Sequence, residues 1–168
     1  VSIDVPIDDL PRALDGFTIV QISDIHVGPT IKRGYVDAIV DAVNRLKPDL
    51  IAVTGDVVDG SVPRLRDHTQ PLARLSARHG AYLVTGNHEY YSGAEAWCRE
   101  LGRFGIKVLR NERVVIGQGE ASFDLAGVDE LVRLVGLGDV AGPDEHRGDP
   151  GALEDPGLRG EGHHAGAV

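Results

Sequence analysis

The sequence predicts an α/β fold, a parallel sheet with helices between its strands. Three observations carry that prediction. Short apolar runs rich in β-branched residues, Phe17–Ser23, Leu50–Thr54 and Ala81–Thr85, each stop in a polar cluster. Between the first two lies a segment of helical periodicity, Tyr35–Leu46, in which Val36, Ile39, Val40, Val43 and Leu46 recur on one face. Strands that alternate with helices in this way imply right-handed crossovers and parallel neighbours.

Phe17–Ser23 carries apolar residues on both sides of an extended chain, which is what a strand covered on both faces requires. Ahead of it, Val1–Gly16 holds Pro6, Pro11 and several aspartates and is read as a lead-in arm or an edge strand. The helix Tyr35–Leu46 ends before Lys47-Pro48, because proline disfavours helical backbone in the preceding residue. Thr69-Gln70-Pro71 is expected to open a second helix containing Leu72 and Leu75, with Gly80 as its stop. Ser92-Gly93-Ala94-Glu95 has capping-box spacing ahead of a helix over Ala94–Phe104, whose Trp97, Leu101 and Phe104 form a core face. Lys107–Leu109, Val114–Ile116 and Ser122–Ala126 read as further strands. From Gly138 to Val168, Gly, Pro, Asp and Glu crowd the chain and no aromatic follows Phe123, so little apolar surface offsets the entropy of ordering. The expected organisation is an arm over residues 1–16, a domain over 17–131 and a poorly ordered tail over 132–168.

With 168 residues, 42% of them apolar, the chain suits a single domain with a real core. A net charge of −9 leaves no basic balance for sequence-independent nucleic-acid binding, and nucleic acid is disfavoured as a partner. The lone cysteine, Cys98, excludes an intrachain disulfide and a cysteine-rich zinc site, and is read as a small buried hydrophobe. No run is apolar enough to span a bilayer, and no signal peptide is recognisable. The chain starts at Val1 and contains no methionine, so upstream residues are expected to be missing. Location is left between cytoplasmic and peripheral at the cell membrane.

The three strand ends carry the chemistry. They hold Asp24 and His26, then Asp56 and Asp59, then Asn87 and His88. Asp24 and His26, two apart in extended chain, project the same way. In a parallel sheet all three ends share one edge, the edge where open α/β folds place ligands. Carboxylate, imidazole and amide oxygen together suit Mn, Fe or Zn better than Ca or Mg alone. A carboxylate can bridge two such ions about 3.5–4 Å apart. Gly55 and Gly86 let the backbone turn sharply just before the candidate ligands. Taken singly, Asp24 could be a turn former, His26 a surface residue, and Asp59 a turn residue as readily as an orienter of His88.

The set D-x-H (Asp24, His26), G-D-x-x-D (Gly55, Asp56, Asp59) and G-N-H-E (Gly86–Glu89), each after an apolar strand and in this order, resembles the calcineurin-like metallophosphoesterase family. The likeness runs over about Gly16–Asp129. It implies a layered α-β-β-α sandwich, of which this chain supplies the amino-terminal part followed by a divergent tail, as if truncated or shifted in frame after about Leu131. It implies two divalent metal ions: Asp24 and His26 on one, Asp56 bridging, Asn87 on the second. His88 is then proton donor or charge stabiliser, hydrogen-bonded to Asp59, and a metal-bridging hydroxide attacks phosphorus. The wording SDIHVGP and GNHEYYSG is similar to a bacterial, often membrane-associated branch. That likeness implies a phosphorylated small molecule or a nucleotide-linked lipid as substrate. The family's further metal-binding histidine after another strand and its closing G-H-x-H are not recognisable, and His146, His163 and His164 are read as part of the tail. The alternatives are a catalytically incomplete fragment or a non-catalytic scaffold that binds a protein partner, and a nucleic-acid phosphodiesterase, which the acidity disfavours.

Around the motifs, Glu89 is expected to point away from His88 and to serve a structural role. Tyr90 and Tyr91 are read either as lining a substrate mouth or as packing. His68 and His79 are read as solvated.

Overall fold

The computed structural model describes residues 1–119 and 121–128. The expected tail, with His146, His163 and His164, lies outside the described residues. Four parallel strands form the main sheet in the order β1 (Ile19–Ile22), β2 (Leu50–Val53), β3 (Ala81–Leu83), β4 (Lys107–Val108). The register runs from Ile19 opposite Leu50 through Ile51 opposite Ala81 to Leu83 opposite Val108. The α/β class read from the sequence is the observed one.

Between β1 and β2 runs α1 (Arg33–Leu46), whose Val36, Val40 and Val43 are buried while Leu46 is exposed. It stops at Lys47, which adopts a left-handed φ of 51° before Pro48. The next helix is not where the sequence suggested. It is α2 (Val62–Thr69), followed by a 3-10 turn over Gln70–Arg74. Pro63 in its first turn is the proline that opens the helix, and Pro71 begins the 3-10 turn instead. Leu65 and Leu72 are both buried by this path.

After β3 comes a single-turn helix, α3 (Asn87–Tyr91), and then α4 (Ala94–Arg103). The expected capping box at Ser92 does not form. Gly93 caps α4 in a left-handed conformation, and the Ser92 hydroxyl serves the Val58–Gly60 loop. Trp97 and Leu101 are fully buried, as their spacing implied. Glu100, on the same helix, is buried against Arg66 of α2 at 2.7 Å. Cys98 is half-buried rather than enclosed.

The last two strands, β5 (Glu112–Gln118) and β6 (Ala121–Gly127), do not extend the parallel sheet. They pair antiparallel as a hairpin, a second sheet. The hairpin is anchored by Gly127, where a Cβ would come within 2.7 Å of Val84, and by Phe123, stacked edge-on against Phe17 with centroids 5.2 Å apart. Phe17 also meets the ring of His79, which is therefore packed and not freely solvated. Val1–Gly16 contributes one 3-10 turn, Arg12–Leu14, and no strand. β1 is corrected too. Ile22 is buried but Ile19 is 52% exposed, because β1 is the edge of the described sheet; β2 is the strand with nearly every residue enclosed.

Candidate metal centre

The first two strand ends stay zipped together beyond the sheet. The N–H of Thr54 donates to Ile22 O at 2.9 Å, that of His26 to Asp56 O at 3.0 Å, that of Val27 to Val57 O at 2.8 Å, and that of Asp59 to Val27 O at 2.8 Å. This ladder carries Asp24 and His26 alongside Asp56 and Asp59. The third strand end joins through two glycines in van der Waals contact. A Cβ on Gly55, whose φ is +86°, would lie 2.6 Å from Gly86 Cα, and one on Gly86 would lie 2.7 Å from the Asp56 nitrogen. No larger residue lets the two loops approach so closely.

Asp24, His26 and Asp56 have left-handed φ values of 55°, 51° and 54°. Their side chains therefore converge through turned backbone and not through the extended geometry expected for Asp24 and His26. Such strain at one to three kcal/mol, roughly, per residue persists only where surrounding contacts enforce it. The backbone bonds just described are those contacts.

Asp59 is the hub. Its Oδ1 lies 3.0 Å from His26 Nδ1 and 2.6 Å from His88 Nδ1, and the two rings meet edge-on with centroids 4.4 Å apart. Burial pushes the Asp59 carboxyl up, but the hydrogen bonds of both histidines outweigh it and hold the group below its ordinary value. An ionised carboxylate only accepts, so both imidazoles carry their proton on Nδ1. Each ring then turns Nε2 toward the site, and His26 Nε2 stands 3.8 Å from Asp24 Oδ1. The hydrogen bond to Asp59 raises the His26 imidazole above its usual value, against the pull of burial, with the charges of Asp59, Asp56 and Asp24 adding to the rise. Asp24 is the open flank of the site, 66% exposed, and takes a short hydrogen bond from the Ser23 hydroxyl.

Ligand atoms of His26, Asp56 and His88 all lie within 4.8 Å of one another, within reach of a single cation. Asp56 accepts the His88 N–H at 3.0 Å through Oδ1. Asn87 points its amide at the same carboxylate. With nitrogen foremost it donates to Oδ1 and Oδ2 at 3.1 and 3.2 Å. With its carbonyl foremost, three oxygens meet with no proton between them, which only a cation in reach would stabilise. The donor set of imidazole, carboxylate and amide oxygen fits a divalent transition metal.

All six residues singled out in the sequence are thus gathered at one sheet edge. The sequence model of the calcineurin-like phosphoesterase family matches residues 17–155. The chain belongs to that family. The match runs past Leu131, onto residues outside those described. Among curated relatives, a transmembrane protein with metallophosphoesterase domain from Danio rerio is 40% identical over 135 residues, covering 78% of this chain and 31% of that protein. Its namesake from Bos taurus is 39% identical over 137 residues, covering 77% and 31%. An uncharacterized metallophosphoesterase from Aquifex aeolicus is 37% identical over 123 residues, covering 73% and 46%. The chain spans about a third of the length of the first two, and its relatives are eukaryotic as well as bacterial.

In this member of the family, residues beyond the six motif side chains also shape the site, most of them not singled out in the sequence. Glu89 does point away from His88, but because it lies on helix α3 and not on extended chain. Its carboxylate is fully buried and accepts N–H bonds from Asp56, Val57 and Gly86. Burial raises its pKa, with the three backbone donors opposing. Ser92 accepts from Gly60 N–H at 3.0 Å and donates to Val58 O, and Trp97 donates its indole N–H to Gly60 O at 2.8 Å. Gly28 sits where a Cβ would press on Asp59 Cβ at 3.0 Å. A buried Trp seeking an acceptor was the one available signal. The two tyrosines separate. Tyr91 is 44% exposed and lies edge-on to His88 at 5.9 Å, whereas Tyr90 is half-buried with its hydroxyl enclosed. His68 is half-buried rather than fully solvated as expected. Its Nδ1 is enclosed at the end of α2.

Proposed function

We propose that this chain forms the metal-binding part of a phosphoesterase that hydrolyses phosphate ester or pyrophosphate bonds with two divalent ions, Mn, Fe or Zn. The observation that carries the reading is the convergence of His26, Asp56 and His88 within 4.8 Å, with Asp24 and Asn87 beside them; in this reading His26 and Asp56 are metal ligands and the neighbouring His88 is turned to substrate. Asp24 and His26 would hold one ion, Asp56 would bridge, and Asn87 would hold the other. When bound, such a pair supplies positive charge for phosphoryl oxygens and an activated water at neutral pH.

The protein's own residues do the rest. Asp59 fixes the Nδ1 proton of His88 and so presents Nε2, on a ring 37% exposed, to the substrate. From there His88 can hydrogen-bond a phosphoryl oxygen or pass a proton to the leaving oxygen. Asp59 does the same positioning for His26, whose Nε2 would then be free to hold a metal ion.

The substrate class in this reading is a phosphorylated small molecule or a nucleotide-linked lipid. Relatives named as transmembrane proteins support membrane association of the parent protein. Among the described residues no helix is long and apolar enough to cross a membrane. Titration of the purified chain with Mn2+ is expected to show about two equivalents, and hydrolysis of a chromogenic phosphodiester to depend on them. Asp56→Asn is expected to lose most of that turnover and to weaken uptake. A chain that takes up no metal and hydrolyses nothing would instead favour a non-catalytic scaffold.

A further inference from the structure

Glu89 is the one carboxylate in the described residues that is wholly removed from solvent, and it touches no cationic side chain. Burying an ionised carboxylate is costly unless its lone pairs are filled. They are filled by backbone alone. Oε2 accepts from Asp56 N–H at 2.9 Å and Gly86 N–H at 2.8 Å, and Oε1 accepts from Val57 N–H at 2.8 Å.

The donors come from two of the three loops that carry candidate metal ligands. Asp56 follows β2, while Gly86 immediately precedes Asn87 and His88. Glu89 therefore ties the loop after β3 to the loop after β2 through a single carboxylate, at the spot where the absent Cβ atoms of Gly55 and Gly86 let the backbones touch. The glycines permit the approach, and Glu89 provides the attraction.

We propose that Glu89 is a positioning residue that fixes the spacing between Asp56 and Asn87, and hence the pairing of the two metal ions. The inference rests on the metal-centre reading given above. Its chemistry requires a carboxylate. A glutamine of the same length presents one oxygen and one NH2, so at least one of the three N–H groups faces a donor. The loops then separate and the second ion loses one side of its site.

The test is Mn2+ titration of the full chain by calorimetry, with thermal unfolding of the metal-free protein measured in parallel. Wild type is expected to bind two ions, and Glu89→Gln to lose about 10–100-fold in affinity for at least one of them, the range seen when residues behind metal ligands are changed. Glu89→Asp keeps the charge but withdraws it by one methylene, and is expected to fall between the two. It carries the test should Glu89→Gln fail to fold. Val36→Ala, a core truncation in α1, supplies the control: it should lower the melting temperature and leave Mn2+ affinity as in wild type. Wild-type binding by the Glu89 variants overturns the proposal alone, and so does an equal loss of affinity in Val36→Ala. A wild-type chain that binds no metal overturns the metal-centre reading itself.

Discussion

One oxygen of Asp59 serves two imidazoles, and this sharing sets what each single substitution does. His88→Ala removes a group that faces substrate but leaves Asp59 free to hold His26. It is expected to cost about 10²–10³ in kcat, the scale of one lost transition-state donor, with metal uptake little changed. Asp59→Asn releases both rings from their fixed tautomers. It is expected to reduce kcat and to weaken metal affinity about 10–100-fold as well. Turnover of the full-length protein and Mn2+ calorimetry on both variants check the contrast. If Asp59→Asn binds Mn2+ as tightly as wild type, the bond to His26 has no bearing on the metal.

At the scale of elements, the site depends on β1 and β2 keeping their register past the sheet. The other end of that pair is fastened by Asp49, whose Oδ2 accepts both the backbone N–H of Thr18 at 2.9 Å and its hydroxyl at 3.0 Å. The bond from the Thr18 N–H, helped by the hydroxyl and by Arg78, holds the Asp49 carboxyl below its ordinary value, with desolvation opposing. The native state therefore prefers the ionised form. Its contribution is present above about pH 4, where the unfolded carboxylate is ionised, and is lost as pH falls through the lower native value. Asp49→Asn is expected to melt below wild type at about pH 7, and the gap to narrow at about pH 3, below the unfolded value. An equal gap at both values would mean that the charge is not what fastens the strands.

The whole molecule offers a simpler reading of the same centre. Ligand that binds only the folded state stabilises it by mass action, by about 2.7 kcal/mol at a hundred times Kd. Because candidate ligands come from three strand ends, Mn2+ is expected to raise the melting temperature of the entire described domain in one transition, and chelation to reverse it. A transition unmoved by Mn2+ would mean that the three ends do not share an ion.

Part of this protein was legible as a string. The run LIAV, its polar punctuation and the helical spacing of Val36, Val40 and Val43 fixed an α/β fold with parallel strands, because covered strands and one-sided helices leave periodic signatures. The D-x-H, G-D-x-x-D and G-N-H-E motifs marked six residues that tertiary structure does gather at one edge. What the string did not hold was everything set by neighbours in space. Pro63 and Pro71 look alike in sequence, yet Pro63 opens an α-helix and Pro71 only a 3-10 turn. Phe17–Ser23 reads as doubly covered, yet Ile19 is exposed in β1, the edge of the described sheet, because coverage depends on what packs around a strand. Glu89 looks like any glutamate until two glycines bring Asp56 and Gly86 within reach of one carboxylate. Local periodicity comes from the chain itself; hydrogen bonds across more than thirty residues come only from the fold.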